Sequence, residues 1–439
     1  MHPLLKLFAD FSEKEGFAAD SFIVGGAVRD IILAKKLKDI DIAVKKDAVN
    51  IARKFAEKIN ASFVLMDKDF GIARIVKDAQ FIDICLMKGS TIYEDLADRD
   101  ITINAMAIPL KNSDKLQAMS DKLKVKNSLL VTRYSLLNVV DPYNGFYDLT
   151  HEIIKMVSEG NLIKDPLRIL RIYRFAASLN FFIEDNTLNS TQRLAPLITS
   201  IAVERIAEEL RYIVILNDSH KTINALLNNS ILFYIFPEFE KDFSTQNLEL
   251  YRKVEDILNN PTHFSLTASC FQLLAFKKIC LKLSTLFPNP DSAKQSAIRL
   301  KISKKEVEFI HKMTFNRTRI LNSYEETQGV ADETNIIELL KEFHDDVYPL
   351  IILAIAQKPS ITAFCKEVIN IYENIFKPRA ALLPIITGND LISEFNLEPS
   401  PIFKKILAEI ENMTLRGRIN SKEEALKIAK KLLYSLYIF

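Results

Sequence analysis

The stretch from Phe22 to Val44, FIVGGAVRDIILAKKLKDIDIAV, constrains the fold more than any other part of the chain. A short apolar run, Phe22-Ile23-Val24, leads into Gly25-Gly26, the pattern of a strand that ends in a tight turn. Arg29 and Asp30 follow on a predicted helix that runs through Ile31, Ile32 and Leu33. The chain returns as Asp39-Ile40-Asp41-Ile42, alternating polar and apolar with the period of a strand. That alternation puts the carboxylates of Asp39 and Asp41 on one face and turns Ile40 and Ile42 toward a core. Two carboxylates on a rigid strand suit Mg²⁺, a hard cation that takes oxygen ligands and completes its shell with water and phosphate. Adjacent glycines let backbone N–H groups approach a triphosphate with no Cβ in the way. Each half alone is commonplace, an edge strand or a turn. In this order and spacing they point to metal-dependent nucleotidyl transfer, with Asp39 and Asp41 as the metal ligands.

Composition bounds what surrounds that stretch. A chain of 439 residues is long enough for two or more domains. Its 48% hydrophobic content and only 10 glycines favour helix over sheet and argue against disorder. Lys plus Arg total 58 against 56 acidic residues, so any nucleic-acid surface must come from local clustering rather than net charge. Cys85, Cys270, Cys280 and Cys365 form no C-x-x-C or C-x-x-H pattern, which suggests reduced thiols in a cytoplasmic protein, not a disulfide framework or zinc site. No apolar run reaches the length of a membrane span; residues 347–356 come nearest, and they hold Pro349. The first 17 residues read as an amphipathic helix and not as a signal peptide.

Through residue 149 helices and strands alternate. Residues 48–59 fit an amphipathic helix, and 62–66, 72–76 and 81–85 read as strands, giving a mixed sheet with helices packed on it. Pro142 and Gly145 mark a turn within DPYNGFYDL. A helix is predicted over KDPLRILRIYRFAASL, residues 164–179, with Asp165 as its N-cap and Pro166 at its first position. Arg168, Arg171 and Arg174 recur every three residues, drifting about 60° per step, so they line one stripe with Asp165. Beyond residue 215 the pattern is helical, with Pro288-Asn289-Pro290 and Lys377-Pro378-Arg379 as the clearest breaks.

The G-G-x-V-R-D segment followed by D-x-D resembles the class II tRNA nucleotidyltransferases and the related bacterial poly(A) polymerases, both in the polymerase-β-like superfamily. Further segments carry the resemblance along essentially the whole chain. EDLADRDITINAMAI, residues 94–108, is similar to the family's R-R-D-F-T-I-N-A, with Asp98 in place of the first arginine and Ile101 in place of phenylalanine. The resemblance implies that Arg99, Asp100 and Asn104 contact the ribose and phosphates of the incoming nucleotide. It offers Asp83, within F-I-D-I-C, as a third carboxylate beside Asp39 and Asp41; the residue alone reads equally as a strand end facing water. Only residues 84–94 separate Asp83 from Asp95, where many complete CCA-adding members carry a longer segment linked to the switch from C to A addition. Partial activity therefore stays open. DPYNGFYDL resembles the family's junction between head and neck, with Asn144 where glycine is usual and Asp141 near the site. Asn tolerates positive φ, so the turn survives.

Residues 164–174 match the family's E-D-x-x-R…R-x-x-R-F element, with Lys164 in place of glutamate. The chemistry of such a site is specific. A fixed carboxylate accepts a hydrogen bond from the exocyclic amine of cytosine or adenine, and a neighbouring guanidinium donates to the ring nitrogen both bases present. Uracil and guanine put an oxygen where the amine should be, a mismatch that leaves buried polar groups unpaired. Asp165 and Arg168 are thus expected to act as a protein template, with Arg171 and Arg174 holding phosphate or bracing Asp165. Lys164 removes an acidic brace for Arg168. VERIAEEL, residues 203–210, resembles a short neck segment in which Glu204, Arg205 and Glu209 form structural ion pairs. Lys404, Lys405, Arg416 and Arg418 are candidate tRNA phosphate contacts in the tail, and His344-Asp345 reads as surface.

The expected architecture is α+β: a polymerase-β-like nucleotidyltransferase head over residues 1–150, then an all-α neck over 151–215 that recognises the base, a body over 216–330 and a tRNA-binding tail over 331–439. The expected function is template-independent addition of C and/or A to the 3′ end of tRNA from CTP and ATP. Mg²⁺ is expected on Asp39 and Asp41, with Asp83 offered by the resemblance as a third catalytic carboxylate. Gly25, Gly26 and Arg29 hold the triphosphate. A bacterial poly(A) polymerase and an inactive RNA-binding relative are the alternatives. The segment AVKKD after D-x-D lacks the basic K/R-F signature of the polymerases, which lowers the first. Intact Asp39 and Asp41 speak against the second.

Overall fold

The computed structural model describes residues 3–35, 37, 40–67, 71–112, 134–239, 243–264 and 275–436. Asp39 and Cys270, both singled out above, lie outside the described residues. The chain divides into two compact units, Met1–Pro237 and Glu238–Phe439.

The first unit is built on a six-stranded mixed sheet. Its strands are β1 (Ser21–Val24), β2 (Asp41–Val44), β3 (Ser62–Asp67), β4 (Ile72–Lys77), β5 (Gln80–Leu86) and β6 (Ala107–Pro109), in the order β3-β4-β5-β2-β1-β6. Only β2 and β5 run parallel; every other neighbouring pair is antiparallel. Alternation gives each face its own packing. Ile23, Ile42, Val44, Ile75, Ile82, Ile84 and Ile108 share one core with apolar residues of α1 (Pro3–Lys14), α2 (Gly26–Ile32) and α3 (Ala48–Lys58). Phe8, Phe11 and Phe55 meet in that core, with the Phe8 and Phe55 rings edge-to-face at 5.0 Å. Each buried side chain of this size contributes roughly 1.5–3 kcal/mol relative to exposure, which fixes α1 and α3 to the sheet.

The opposite face is smaller. Val24, Ala43 and Ala107 pack with Ile92 and Leu96 of α4 (Ile92–Ala97). Asp41, two residues before Ala43 in the alternation, projects from this second face. The segment after α4 pairs with the chain that follows the head: Thr102 N–H donates to Lys155 O at 2.9 Å and Val157 N–H to Asp100 O at 3.1 Å. Ile154, Met156, Leu162, Ile172 and Phe175 join the same core as the sheet, so one hydrophobic core spans residues on both sides of position 150.

At DPYNGFYDL, Asn144 takes φ 57°, the left-handed conformation expected of it. A Cβ on Gly145 would collide with the carbonyl of Thr102, so glycine is required there by close approach. Asp141 is not at the site; its carboxylate accepts from Gly145 N–H at 2.7 Å and Phe146 N–H at 2.9 Å, capping the next helix.

Two expectations for the neck need correction. The predicted 164–179 helix is two helices, Glu159–Lys164 and Leu167–Leu179, and Asp165 sits between them with φ −138° and ψ 90°. Its side chain caps nothing, because the carboxylate is drawn to Arg205 instead, at 3.0 Å. The neck also holds a two-residue parallel ladder, Ile153–Ile154 with Phe182–Ile183, among its helices.

In the second unit every regular element described is helical. Asn289 caps the helix Pro290–Arg299 as the proline-rich break predicts, accepting from Ser292 N–H at 2.9 Å. The expected break at Lys377-Pro378-Arg379 falls later: a π turn over Tyr372–Phe376 runs straight into the short helix Lys377–Ala380. Pro378, which has no N–H to donate, lies just after that π turn. The apolar run is the buried helix Val347–Gln357, and among the described residues no helix is long and apolar enough to cross a membrane. His344 and Asp345 are exposed.

Candidate active site

A cleft of about 710 Å³ opens on the second face of the sheet. It lies among the Gly25-Gly26 turn, the residues after α4 and the helix Leu167–Leu179. Every predicted site residue among the described ones lines it except Asp83.

The glycine turn sets the floor. Gly25 adopts φ 70° and ψ −143°, a region strained for any residue with a Cβ. A Cβ at that position would stand 3.3 Å from Asp41 Oδ2 and 3.6 Å from Arg99 Nη1. Turn, carboxylate and guanidinium are therefore in contact range. Asp83 is directly beside Asp41 in the parallel β2–β5 register. Both its oxygens accept from Arg74, through Nε and Nη2 at 2.8 Å each, a fork that would share the carboxylate with any ion bound there. Among the described residues no group of three or more His, Cys, Asp or Glu side chains is gathered as a metal site. The hard carboxylate of Asp41, facing a backbone turn, is nevertheless the donor chemistry a divalent cation takes.

The remaining polar residues form a connected chain of charge-assisted bonds. Arg29 Nη1 donates to Asn104 Oδ1 at 2.9 Å, and Asn104 Nδ2 donates to Asp100 Oδ1 at 3.2 Å. Asp100 Oδ1 also accepts from Ile101 N–H at 2.9 Å, and Arg171 Nε reaches Asp100 Oδ2 at 2.8 Å. Arg171 continues to Glu209 at 3.5 Å, and Arg174 Nε donates to the same carboxylate at 2.6 Å. Phe175 lies beneath three of these guanidiniums, with ring-centroid distances of 5.8 Å for Arg29, 5.2 Å for Arg171 and 4.3 Å for Arg174. Burial alone would push the Asp100 carboxyl up, but the charge and hydrogen bonds of Arg171 hold it below the ordinary carboxylate range. Arg171 and Arg174 thus brace Asp100 and Glu209, not Asp165. Glu209 forms the expected neck ion pairs, and Arg205 pairs with Asp165.

Several residues of the cleft were missed by sequence reasoning. Asp95 binds Arg99 through Nε at 3.1 Å and Nη2 at 2.6 Å, and its other oxygen takes the Lys88 N–H at 3.0 Å. The signal was present, because Asp95 and Arg99 are four residues apart across the end of a helix. Burial lowers the affinity of Arg99 for its proton, yet the Asp95 carboxylate raises its pKa above the ordinary value. Cys85 also faces the cleft; burial pushes its thiol up to about 12 against the pull of Arg99, which keeps it an uncharged and unreactive thiol.

Asp98 is held by Lys164 at 2.6 Å, by Lys88, and by Arg168 at 3.7 Å. Burial raises its pKa, but the hydrogen bonds from Lys164 and Lys88 outweigh that and hold the carboxyl at about 2. The ordinary value is 3.8, so the stabilisation this residue supplies is full above that pH and is lost as pH falls toward about 2. In acid-unfolding titrations the wild-type protein is expected to exceed Asp98→Asn in stability at pH 5 and to converge with it near pH 2; parallel curves across that range would contradict this.

A mixed sheet that presents a strand carboxylate opposite a glycine turn, with a guanidinium-rich helical wall, defines a nucleotidyl-transfer enzyme of the polymerase-β-like kind. Three family models match in order: the poly(A) polymerase head domain over residues 21–155, the RNA and SrmB-binding site of polymerase A over 180–243, and tRNA nucleotidyltransferase domain 2 over 277–429. The chain belongs to the class II tRNA nucleotidyltransferase and bacterial poly(A) polymerase family. It is 29% identical to the CC-adding tRNA nucleotidyltransferase of Synechocystis sp., over 93% of each chain. It is 26% identical to the A-adding tRNA nucleotidyltransferase of Halalkalibacterium halodurans, over 98% of this chain and 92% of that one. The fold is similar to a solved CCA-adding enzyme in complex with ATP, at TM-score 0.70 and 23% identity, covering 99% of this chain and 93% of the other.

Proposed function

We propose that this chain transfers CMP from CTP to the 3′ end of tRNA and stops at CC, leaving the terminal A to another enzyme. The observation that carries the choice of CC over CCA is the connection between β5 and α4, residues 87–91. It is short and closed on itself. Ser90 N–H donates to Glu94 at 2.6 Å, Thr91 caps α4, and Lys88 N–H is held by Asp95 at 3.0 Å. Gly89, at φ 82°, folds directly over the Glu94 side chain. A turn tied at three points has no length to spare for the excursion that the longer family segment is linked to. The Synechocystis relative, matched over nearly its whole length, is a CC-adding enzyme by name.

The residues have distinct tasks in this reading. α2 begins at Gly26 without a side-chain cap, the arrangement in which first-turn N–H groups serve an anion. The Gly25-Gly26 turn and Arg29 take the triphosphate, and Arg99, fixed by Asp95, stands beside it. Asp100 works through Arg171 and Asn104, since its own oxygens are fully engaged. Asp165 accepts from the cytosine amine while Arg168 donates to the ring. Family members generally use divalent metals, and here Asp41 with Asp39 would hold Mg²⁺, which supplies charge neutralisation at the α-phosphate and acidifies the RNA 3′ hydroxyl. In the tail, Lys404, Lys405 and Arg418 remain exposed for tRNA phosphates, whereas Arg416 is paired with Glu338 at 2.7 Å.

Incubation with tRNA ending before CCA, after C or after CC, supplied with single labelled nucleotides, tests this. CTP is expected to extend the first two to CC, and ATP to leave the CC-ending tRNA unextended. Addition of A to that substrate would overturn the CC assignment. Long adenylate tails on unrelated RNA would favour a poly(A) polymerase, and no incorporation at all an inactive relative.

A further inference from the structure

This chain departs from the family's segments at Asp98 and at Lys164, and the two departures touch. Lys164 Nζ is 2.6 Å from Asp98 Oδ1 although the residues are 66 positions apart. Asp98 ends α4, and its other oxygen faces Lys88 and Arg168, the latter at 3.7 Å. The backbone on either side of Asp98 is clamped to the same neck helices. Asn161 Nδ2 donates to Ala97 O at 2.7 Å and to Arg99 O at 2.8 Å, and Arg168 Nη1 approaches Arg99 O at 3.4 Å. The Asp98 and Arg168 side chains are 13% and 11% exposed, against 64% for Lys164.

We infer that Asp98 is a positioning residue for base selection: it holds the Arg168 guanidinium in the orientation that reads the base, with Lys164 and Lys88 fixing Asp98 in turn. Arg168 lies 3.7 Å from the Asp98 carboxylate and 4.0 Å from that of Asp165, beyond hydrogen-bond length in both cases, and its guanidinium donates to Arg99 O at 3.4 Å, on the Asp98 side. Asp165 is engaged at 3.0 Å by Arg205. The near-buried anion that restrains Arg168 from the head side is therefore Asp98. A guanidinium tethered through one edge keeps its other N–H groups aimed at a ring nitrogen, whereas an untethered one turns toward Asp165 and quenches the carboxylate that should meet the amine. The role of glutamate at position 164 is taken by an acid from the opposite wall, and Lys164 replaces the cation that position 98 would otherwise carry.

This inference rests on Asp165 and Arg168 reading the base, and its test separates the two. CTP and UTP incorporation into tRNA lacking CCA is measured for the wild type, Asp98→Asn, Lys164→Glu and the double variant Asp98→Arg/Lys164→Glu. Lys164 Nζ and Arg168 Nη2 both approach the Asp98 carboxylate, so in the double variant a carboxylate at 164 can come close to Arg168 from that side. Asp98→Asn is expected to lower the CTP-over-UTP ratio of kcat/KM about tenfold or more, chiefly through the nucleotide KM, and the double variant to restore it to within about threefold of wild type. Thermal unfolding of the same proteins identifies any variant that fails to fold, and Lys164→Glu, altering an exposed residue, then carries the comparison. Equal losses with CTP and UTP in Asp98→Asn, or a double variant no better than the worse single one, would overturn the positioning role. Arg168→Ala is measured alongside. If it leaves the ratio unchanged, base reading by this pair fails and the inference falls with it; if it collapses the ratio while Asp98→Asn does not, only the positioning role is lost.

Discussion

Asp41→Ala is expected to reduce the rate of CTP incorporation by at least about 10³-fold while leaving thermal stability nearly unchanged. The carboxylate is partly exposed at the first residue of β2 and makes no contribution to either sheet core, so its removal is a surface change as far as folding is concerned. Its position is another matter. It stands where a Cβ on Gly25 would touch it, so it occupies the point at which a triphosphate over the glycine turn would bring its phosphates to the strand. Without that oxygen donor a divalent ion, which would offset the charge building on the α-phosphate and the leaving pyrophosphate, would lose a ligand. Single-turnover incorporation and a parallel melting curve check the expectation. A residual rate within about tenfold of wild type would place the chemistry elsewhere.

Asp165→Ala is expected to act on choice rather than on rate. The CTP-over-UTP ratio of kcat/KM should fall by about 10²- to 10³-fold, because the discriminating term is an amine that must find an acceptor and a carbonyl that must not meet a lone pair. CTP turnover itself should drop by a smaller factor, since phosphate and sugar contacts persist. Arg205, which pairs with Asp165 at 3.0 Å, is exposed enough to be hydrated when its partner is lost, so folding should survive. The measurement is competition between labelled CTP and UTP on one tRNA. An unchanged ratio would remove Asp165 from base recognition.

Much of the site was legible in the residues themselves. The strand–glycine–helix–strand order of residues 22–44, the acid-apolar alternation at Asp41 and Ile42, and the spacing of Arg168, Arg171 and Arg174 are all local signals. Their local consequences hold: β1 ends at Val24, directly before Gly25, Ile42 is buried while Asp41 faces the cleft, and the three arginines line one side of one helix. Where local reading failed, a distant partner had won. Asp165 reads as an N-cap because a short acid before a proline-initiated helix usually is one. It caps nothing because Arg205, forty residues on, offers it a charge-assisted bond stronger than a neutral backbone donor. The partners that Arg171 and Arg174 find, Asp100 and Glu209, lie 71 and 35 residues away and leave no local sign.

The sequence by itself determined which elements form and which side chains each element presents, because backbone periodicity is a property of neighbours along the chain. Only the tertiary structure decided which charges meet. That Asp98 answers Lys164, that Asp83 is occupied by Arg74, and that one core runs from the sheet into the neck all depend on closing loops and burying charge. A buried ion needs an opposite charge within a few ångströms, and the fold, not the order of residues, brings that charge there.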